Sequence, residues 1–184
     1  MMSRIRAIRY LLLILTAIGL STCVVDHQDV EQLIQKLRKK YVHQHYEINP
    51  VMASIFVDDT QPGGKELKVL LDKVSKMEVL VFSEESQVNK NQFSPMIVNI
   101  NRSINRFGLI QYGGYSTNNE NITVWLIKKK SIITDLIVEV ISEGNAYMVY
   151  YSGQIPLATL DLLVNPKNRP ILKYLYRLKS STVR

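Results

Sequence analysis

The chain has 184 residues, a formal net charge of +7 and one cysteine. Its length suits one domain with a hydrophobic core and excludes two such domains. The single cysteine excludes an internal disulfide. Residues 1–22 contain three arginines and no acids, so without them the net charge falls from +7 to +4. The remaining clusters of lysine are typical of solvated protein surfaces.

The first 23 residues have the layout of an export signal. Three arginines precede the apolar run 10–20, and two small residues then precede Cys23. This order matches a positive region, a hydrophobic region and a cleavage point. A cysteine after a Leu-small-small triplet resembles the lipobox of bacterial lipoproteins, in which the cysteine is acylated and becomes the first residue. The sequence therefore predicts a signal peptide over 1–22, lipidation of Cys23 and attachment to a membrane through that lipid.

Two alternatives concern the same segment. An uncleaved membrane-spanning anchor is disfavoured, because the apolar run is about half of the roughly 20 residues that cross a bilayer. A plain secretory signal, with Cys23 an incidental thiol, stays open because Thr22 is less usual than Gly, Ala or Ser before a lipidated cysteine. In each of these cases the protein is exported, and an exported protein is not expected to have a nucleic-acid partner.

The first half of the remaining chain predicts helices and buried strands in alternation. Asp29 opens an amphipathic helix, since apolar residues recur at helical spacing and Gln32 completes a capping box. This helix is expected to end before Asn49-Pro50, because the residue before a proline is pushed out of helical conformation. The elements predicted next are a strand at 51–57, a helix at 67–74, a strand at 77–82 and a helix at 94–107.

The second half changes to a period of two, which is typical of strands. Strands are predicted at 109–115, 122–127, 132–141 and 146–151, followed by a short helix at 156–164. Residues 166–184 form a basic tail, either an amphipathic helix or a frayed terminus. We predict a short tether at 23–29 and a single α+β domain at 30–165. The expected fold is a mostly antiparallel sheet of about five to six strands with helices packed on one face, preceded by an N-terminal helix.

Three segments carry a resemblance to a known family: Glu66–Phe82, Thr123–Val140 and Tyr147–Leu163, the last with Gly153-Gln154-Ile155. Over roughly residues 30–165, the order of elements resembles a domain-of-unknown-function family of envelope lipoproteins from Gram-negative bacteria. The chain departs from that family in a longer basic tail and a less acidic first helix. The resemblance implies an envelope location, an α+β domain and no catalytic residues to carry over.

Two histidines form the best candidate for a metal site. His43 and His45 are two residues apart and Glu47 follows at the same interval, so all three would share one face of a strand. Such spacing can bind zinc, but spacing alone is a weak signal. We interpret the stretch as a polar linker between the first helix and Asn49-Pro50, and we predict no metal and no cofactor.

Paired acids form the best candidate for catalysis. Asp58-Asp59 and Glu84-Glu85 each follow a predicted strand, where loops often carry function. Adjacent carboxylates point to opposite faces, however, and no Gly-x-Ser-x-Gly nucleophile turn occurs. We therefore predict no catalytic site. The alternative hypothesis is a hydrolase-like envelope enzyme that uses Asp58, Asp59, His43 or His45.

Aromatic residues in the predicted strands form a candidate binding surface. They lie on three strands: Tyr112, Tyr115, Trp125, Tyr147 and Tyr151. Tyrosine and tryptophan are enriched at recognition surfaces, although half-buried cross-strand pairs would look the same. The sequence favours a non-enzymatic, lipid-anchored envelope lipoprotein, at the outer membrane or facing the periplasm, that binds a protein or peptide partner on its sheet.

Overall fold

The computed structural model describes residues 27–83, 93–116, 120–142 and 145–164. Cys23, Glu84-Glu85 and the tail 166–184 lie outside these ranges. The described ranges contain five helices and six strands: α1 (His27–Tyr41), β1 (Gln44–Ile48), α2 (Pro50–Ile55), α3 (Gly64–Leu71), β2 (Val74–Ser83), α4 (Phe93–Arg106), β3 (Ile110–Ser116), β4 (Glu120–Lys129), β5 (Ile132–Ser142), β6 (Asn145–Pro156) and α5 (Leu157–Val164).

The six strands form one antiparallel sheet in the order β1-β2-β6-β5-β4-β3. The predicted α+β fold with a mostly antiparallel sheet and an N-terminal helix is thereby confirmed. The hairpin of β5 and β6 lies at the centre of the sheet, with Ser142 paired to Asn145 next to its turn. The two edges are β1 and β3.

Both faces of the sheet are buried, whereas the sequence predicted helices on one face only. Helices α2, α3 and α5 cover what we call the first face, and α1 and α4 cover the second face. The reason lies in the central strands, where side chains of both parities are apolar. In β4, for example, Val124 and Leu126 enter the core of the first face, and Trp125 enters that of the second.

Helix α2 replaces the strand that we predicted at 51–57, and that prediction is wrong. The Asn49 side chain accepts hydrogen bonds from the backbone N–H of Val51 (2.9 Å) and Met52 (3.4 Å). Pro50 occupies the first helical position, where its fixed φ and missing N–H favour a helix start. The Asn-Pro pair therefore starts a helix here, whereas the preceding helix has already ended at Tyr41.

Strand β1 replaces the polar linker that we predicted before Asn49, so that interpretation is also wrong. Helix α1 ends at Tyr41, and residues 44–48 pair with β2 as an edge strand, with Tyr46 opposite Val79. The extended conformation places His45 and Glu47 on the same face of the sheet, as their spacing of two residues predicts for a strand.

A close backbone contact explains Gly153 in β6. The pairing of β2 with β6 is irregular between Val74 and Lys76, and Gln154 N–H donates to the carbonyl oxygen of Lys73 at 2.9 Å. A Cβ atom on Gly153 would lie 2.1 Å from that same oxygen. Only glycine allows the two chains to approach this closely.

We expect Gly153→Ala to lower the free energy of unfolding by about 1–3 kcal/mol, because the added methyl group forces β2 and β6 apart. The matched control is Gly113→Ala in β3, where an added Cβ meets nothing within 4 Å. That variant should change stability by no more than about 1 kcal/mol, and in the stabilising direction. Urea unfolding of both proteins measures the difference, and equal losses would show that the contact at Gly153 is not limiting.

Candidate functional site

Two grooves open at the end of the sheet where β2 begins, which we call the groove end. The larger groove has a volume of about 580 Å³, and its lining residues are Asp72, Lys73, Val74, Ser75, Thr134, Ser152, Gly153 and Gln154. The second, of about 380 Å³, lies between the end of β1, the start of α2 and residues 74–77. Val74 and Ser75 contribute to both grooves. The groove end is therefore built around the first residues of β2.

The irregular pairing at Ser75 shapes this end. Val74 pairs with Gly153 and Lys76 with Ser152, so Ser75 has no register partner in β6. Its hydroxyl donates instead to the carbonyl oxygen of Ser152 at 3.0 Å. Bulges of this kind re-aim side chains and often lie beside functional sites.

Next to the larger groove, Asp135 is fully buried on the second face and accepts two side-chain hydrogen bonds. Tyr150 donates to Oδ1 at 2.9 Å and Thr134 donates to Oδ2 at 2.8 Å. Burial, reinforced by the Asp135 charge, raises the pKa of Tyr150 far above its usual value of 10. Tyr150 therefore stays protonated and acts as a fixed hydrogen-bond donor, not as an acid or base.

An ion-pair cluster lies beneath α1 on the second face, centred on the buried carboxylate of Glu78. Lys76 Nζ lies 2.8 Å from Oε1 and His45 Nε2 lies 2.8 Å from Oε2. Lys76 also pairs with Glu31 of α1 at 3.2 Å, and Arg38 lies 4.0 Å from Glu78. Both oxygens of Glu78 thus have a partner.

The cluster changes the pKa of two groups. Burial acts to raise the pKa of Glu78, but hydrogen bonds from Lys76 and His45 outweigh it and hold that pKa below its usual value of 4.5. The hydrogen bond to Glu78 likewise raises the pKa of Lys76, against the opposing effect of burial. Glu78 and Lys76 therefore form a charged pair at neutral pH.

His45, Glu47 and Glu78 form a donor set for a divalent cation, with their ligand atoms within 4.8 Å of one another. Glu47 lies directly opposite Glu78 in the β1–β2 register. One imidazole and two carboxylates suit zinc or manganese. However, the positive charges of Lys76 and Arg38 lie beside the same Glu78 carboxylate and repel a metal cation at this position. The contacts favour an ion-pair cluster that fixes α1 and β1 to β2.

We expect Lys76→Met to cost about 1–2 kcal/mol of stability at neutral pH, because it leaves Glu78 buried with less compensation; the partial exposure of Lys76 reduces the loss. Lys68→Met is the matched control, since its 3.2 Å pair with Asp59 is exposed and should contribute less than about 0.5 kcal/mol.

The lowered pKa of Glu78 stabilises the fold above pH 4.5, and this contribution is lost as the pH falls through the folded-state value of that pKa. Urea unfolding at neutral and acidic pH should show a smaller acid-induced loss in Lys76→Met than in the wild type.

A second buried acid, Glu139, lies in β5 on the second face and is 2% exposed. Burial raises its pKa from 4.5 to about 7, and the neighbouring Asn101 and Trp125 only partly counter this. Among the described residues, no group lies at hydrogen-bonding geometry to either carboxyl oxygen. Glu139 is therefore a core carboxyl group that is easiest to bury in its protonated form.

This raised pKa predicts a pH-dependent stability. Folding takes up a proton between pH 4.5 and about 7, so the free energy of unfolding should fall by about 3 kcal/mol as the pH rises through that window. Glu139→Gln should remove this dependence and be more stable than the wild type at alkaline pH. Glu66→Gln, on the half-exposed Glu66 of α3, is the control, and it should keep the pH dependence of the wild type. Unfolding curves of Glu139→Gln that track the wild type across the window would contradict the assignment.

The predicted aromatic surface on the sheet is only partly available. Tyr151 is 0% exposed and Trp125 is 4% exposed, so neither can belong to an exposed binding surface. They also lie on opposite faces of the sheet, since Tyr151 belongs to the core of the first face and Trp125 to that of the second. Tyr112, Tyr115 and Tyr147 are half-buried against the core of the first face, and the Tyr112 hydroxyl donates to Asp161 of α5. The burial indicates a mainly structural role for this set.

The other candidate residues do not converge. Asp58 accepts hydrogen bonds from the backbone and hydroxyl of Thr60, and these lower its pKa below 3.8. Asp59 pairs with Lys68. Within the described residues, the one convergent group of histidines and acids is His45, Glu47 and Glu78, and it includes neither aspartate nor His43.

Comparison with known proteins gives no family for the chain: no protein-family model matches it, and no curated protein matches it. The resemblance to envelope lipoproteins therefore stays a prediction. In the described part of the chain, no helix is both long and apolar enough to cross a membrane.

Proposed function

We propose that this protein is a non-enzymatic envelope lipoprotein of Gram-negative bacteria, held on a membrane by a lipid on Cys23, and that it acts as a binding module. One observation carries the proposal. Helix α1 begins at His27, so three residues separate the folded domain from Cys23. At about 3.6 Å per residue, the chain from Cys23 to the start of α1 can span at most about 14 Å. A lipid on Cys23 would therefore hold the domain directly against the bilayer.

The contacts of α1 support a choice of the part of the domain that would face the membrane. Glu31, near the start of α1, pairs with Lys76, and the neighbouring Met77 pairs with Ile48 at the end of β1. The start of α1 therefore lies at the groove end. This end carries both grooves, and its polar side chains offer hydrogen bonds to a protein or peptide partner. We propose the larger groove, which α2 does not line, as the binding region in place of the aromatic sheet surface, with the partner reaching it along the membrane surface.

The alternative of a hydrolase-like enzyme receives less support. It requires Asp58, Asp59, His43 or His45 to act together. His45 is engaged with Glu78, while the two aspartates make turn and ion-pair contacts in a separate loop. A binding role needs none of these residues as an acid or base.

We expect Cys23→Ala to abolish lipid attachment and to shift the protein from the membrane fraction to the soluble fraction after a high-salt wash. The thiol is the only attachment point for the lipid, and salt screens any residual attraction of the basic residues to anionic lipid. Thr22→Gly is the matched control. It keeps Cys23, so it should stay in the membrane fraction with the wild type after the same wash. If wild type and Cys23→Ala wash off equally, Cys23 is not an anchor.

A further inference from the structure

Helix α2 presents an exposed apolar face, formed by Val51 (65% exposed), Met52 (53%), Ile55 (67%) and Phe56 (62%). At this helical spacing the four side chains are neighbours on one side of the helix. Residues 48–57, which include the whole helix, contain no charged side chain. Soluble monomers rarely expose contiguous apolar patches beyond a few hundred Å², and such patches mark binding surfaces.

This face is held in a fixed shape by the opposite side of the same helix. Pro50 and Ala53 are buried against the domain, and the Asn49 side chain caps the first turn. The Ser54 hydroxyl donates to the carbonyl oxygen of Val51 at 2.8 Å. The helix therefore needs no ordering when a partner binds.

The position of α2 indicates the partner. It follows β1 directly, so it lies at the groove end, where the start of α1 also lies. The three-residue connection to Cys23 would bring this same end to the bilayer. A membrane set against this end by the proposed anchor would therefore lie close to both the start of α1 and α2.

A second copy of the chain fits this face less well. A stable protein interface uses about 20–30 residues on each side, far more than four side chains offer. A bilayer sets no such requirement, because the lipid on Cys23 supplies the affinity and raises the local concentration of the second contact. We propose that the apolar face of α2 inserts into the headgroup and acyl boundary of the membrane that holds the Cys23 lipid, and so fixes the orientation of the domain. The inference rests on the proposed anchor at Cys23.

A fluorescent label on position 56 tests the insertion without depending on acylation. The protein is residues 23–184 with Cys23→Ser and Phe56→Cys, carrying an environment-sensitive dye and an N-terminal polyhistidine tag. The tag holds it on phosphatidylethanolamine and phosphatidylglycerol vesicles that contain nickel-chelating lipid. We expect the dye emission to rise and shift to the blue on these vesicles, and to be quenched by lipids brominated on the acyl chain. The matched control is Val98→Cys in α4, which is 55% exposed but stands outside the patch, and its dye should not respond.

Partitioning of the untagged Cys23→Ser chain onto the same vesicles gives a second readout. Phe56→Asp should weaken it by roughly tenfold or more, since burying an aromatic side chain is worth about that factor, and Val98→Asp should not. Equal responses at positions 56 and 98, or equal effects of the two aspartates, would overturn the proposal. A response of the position-56 dye to protein concentration without vesicles would overturn it in favour of a second copy. Equal wash-off of the wild type and Cys23→Ala in the membrane fractionation, with the vesicle response intact, would refute the anchor alone.

Discussion

Burial of both faces of a single antiparallel sheet is the constraint on which the rest of this structure depends. The central strands β5 and β6 lie between two apolar cores, so nearly every side chain in them must be accommodated without water. The burial of apolar area on both sides is the main source of stability for such a layered domain. The same burial leaves only the edges and ends of the sheet, and the outer sides of the helices, for contact with other molecules.

Three acids on the second face show how the fold meets this constraint in three ways. Glu78, near the edge, keeps its charge because Lys76 and His45 bind its two oxygens. Asp135 accepts hydrogen bonds from Tyr150 and Thr134 within the core. Within the described part of the chain, neither carboxyl oxygen of Glu139 has a group at hydrogen-bonding geometry, and burial raises its pKa to about 7 despite the nearby Asn101 and Trp125. All three acids are almost fully buried, so the difference lies in their neighbours: ion pairs keep Glu78 charged, hydrogen bonds compensate the burial of Asp135, and Glu139 is easiest to bury in its protonated form.

The sequence predicted most of the strands but not the layers, and particular residues explain the difference. Alternation in β4 and β5 predicted strands correctly, yet Trp125 and Ile137 could equally have faced solvent, and only the packing of α1 and α4 against them shows that they are core. Asn49-Pro50 satisfies both the rule for ending a helix and the rule for starting one, so local sequence could not decide between them. Strand β1 is short and polar, and its pairing with β2 depends on contacts that are distant in sequence.

The candidate site was predictable to a similar extent. The spacing of His45 and Glu47 showed that they would share a face if extended. Glu78 joins them only through the antiparallel register of β1 with β2, which pairs residues more than thirty positions apart. No local signal in the sequence gives that register. The two-residue spacing places Lys76 and Glu78 on one face of a strand, but only the register shows that the Lys76 charge lies beside the histidine and acid donors and opposes a metal there. Sequence patterns identify the candidate metal ligands, whereas the long-range register determines which charged side chains lie beside them.

The closed faces also support the proposal that α2 is the part of the domain that meets a membrane. The edge strand β1 carries exposed Gln44 and Glu47, and polar edges resist pairing with other chains. Helices α1 and α4 direct their apolar sides into the second face, which leaves little apolar surface there. An exposed apolar helix on a free protein favours self-association. On a protein that the proposed Cys23 lipid would hold within about 14 Å of a bilayer, the same helix would lie beside an apolar phase that can receive it. Such an anchor would turn a feature that is unfavourable in solution into a second membrane contact, and two contacts would restrict the tilt of the domain where one lipid leaves it free to rotate.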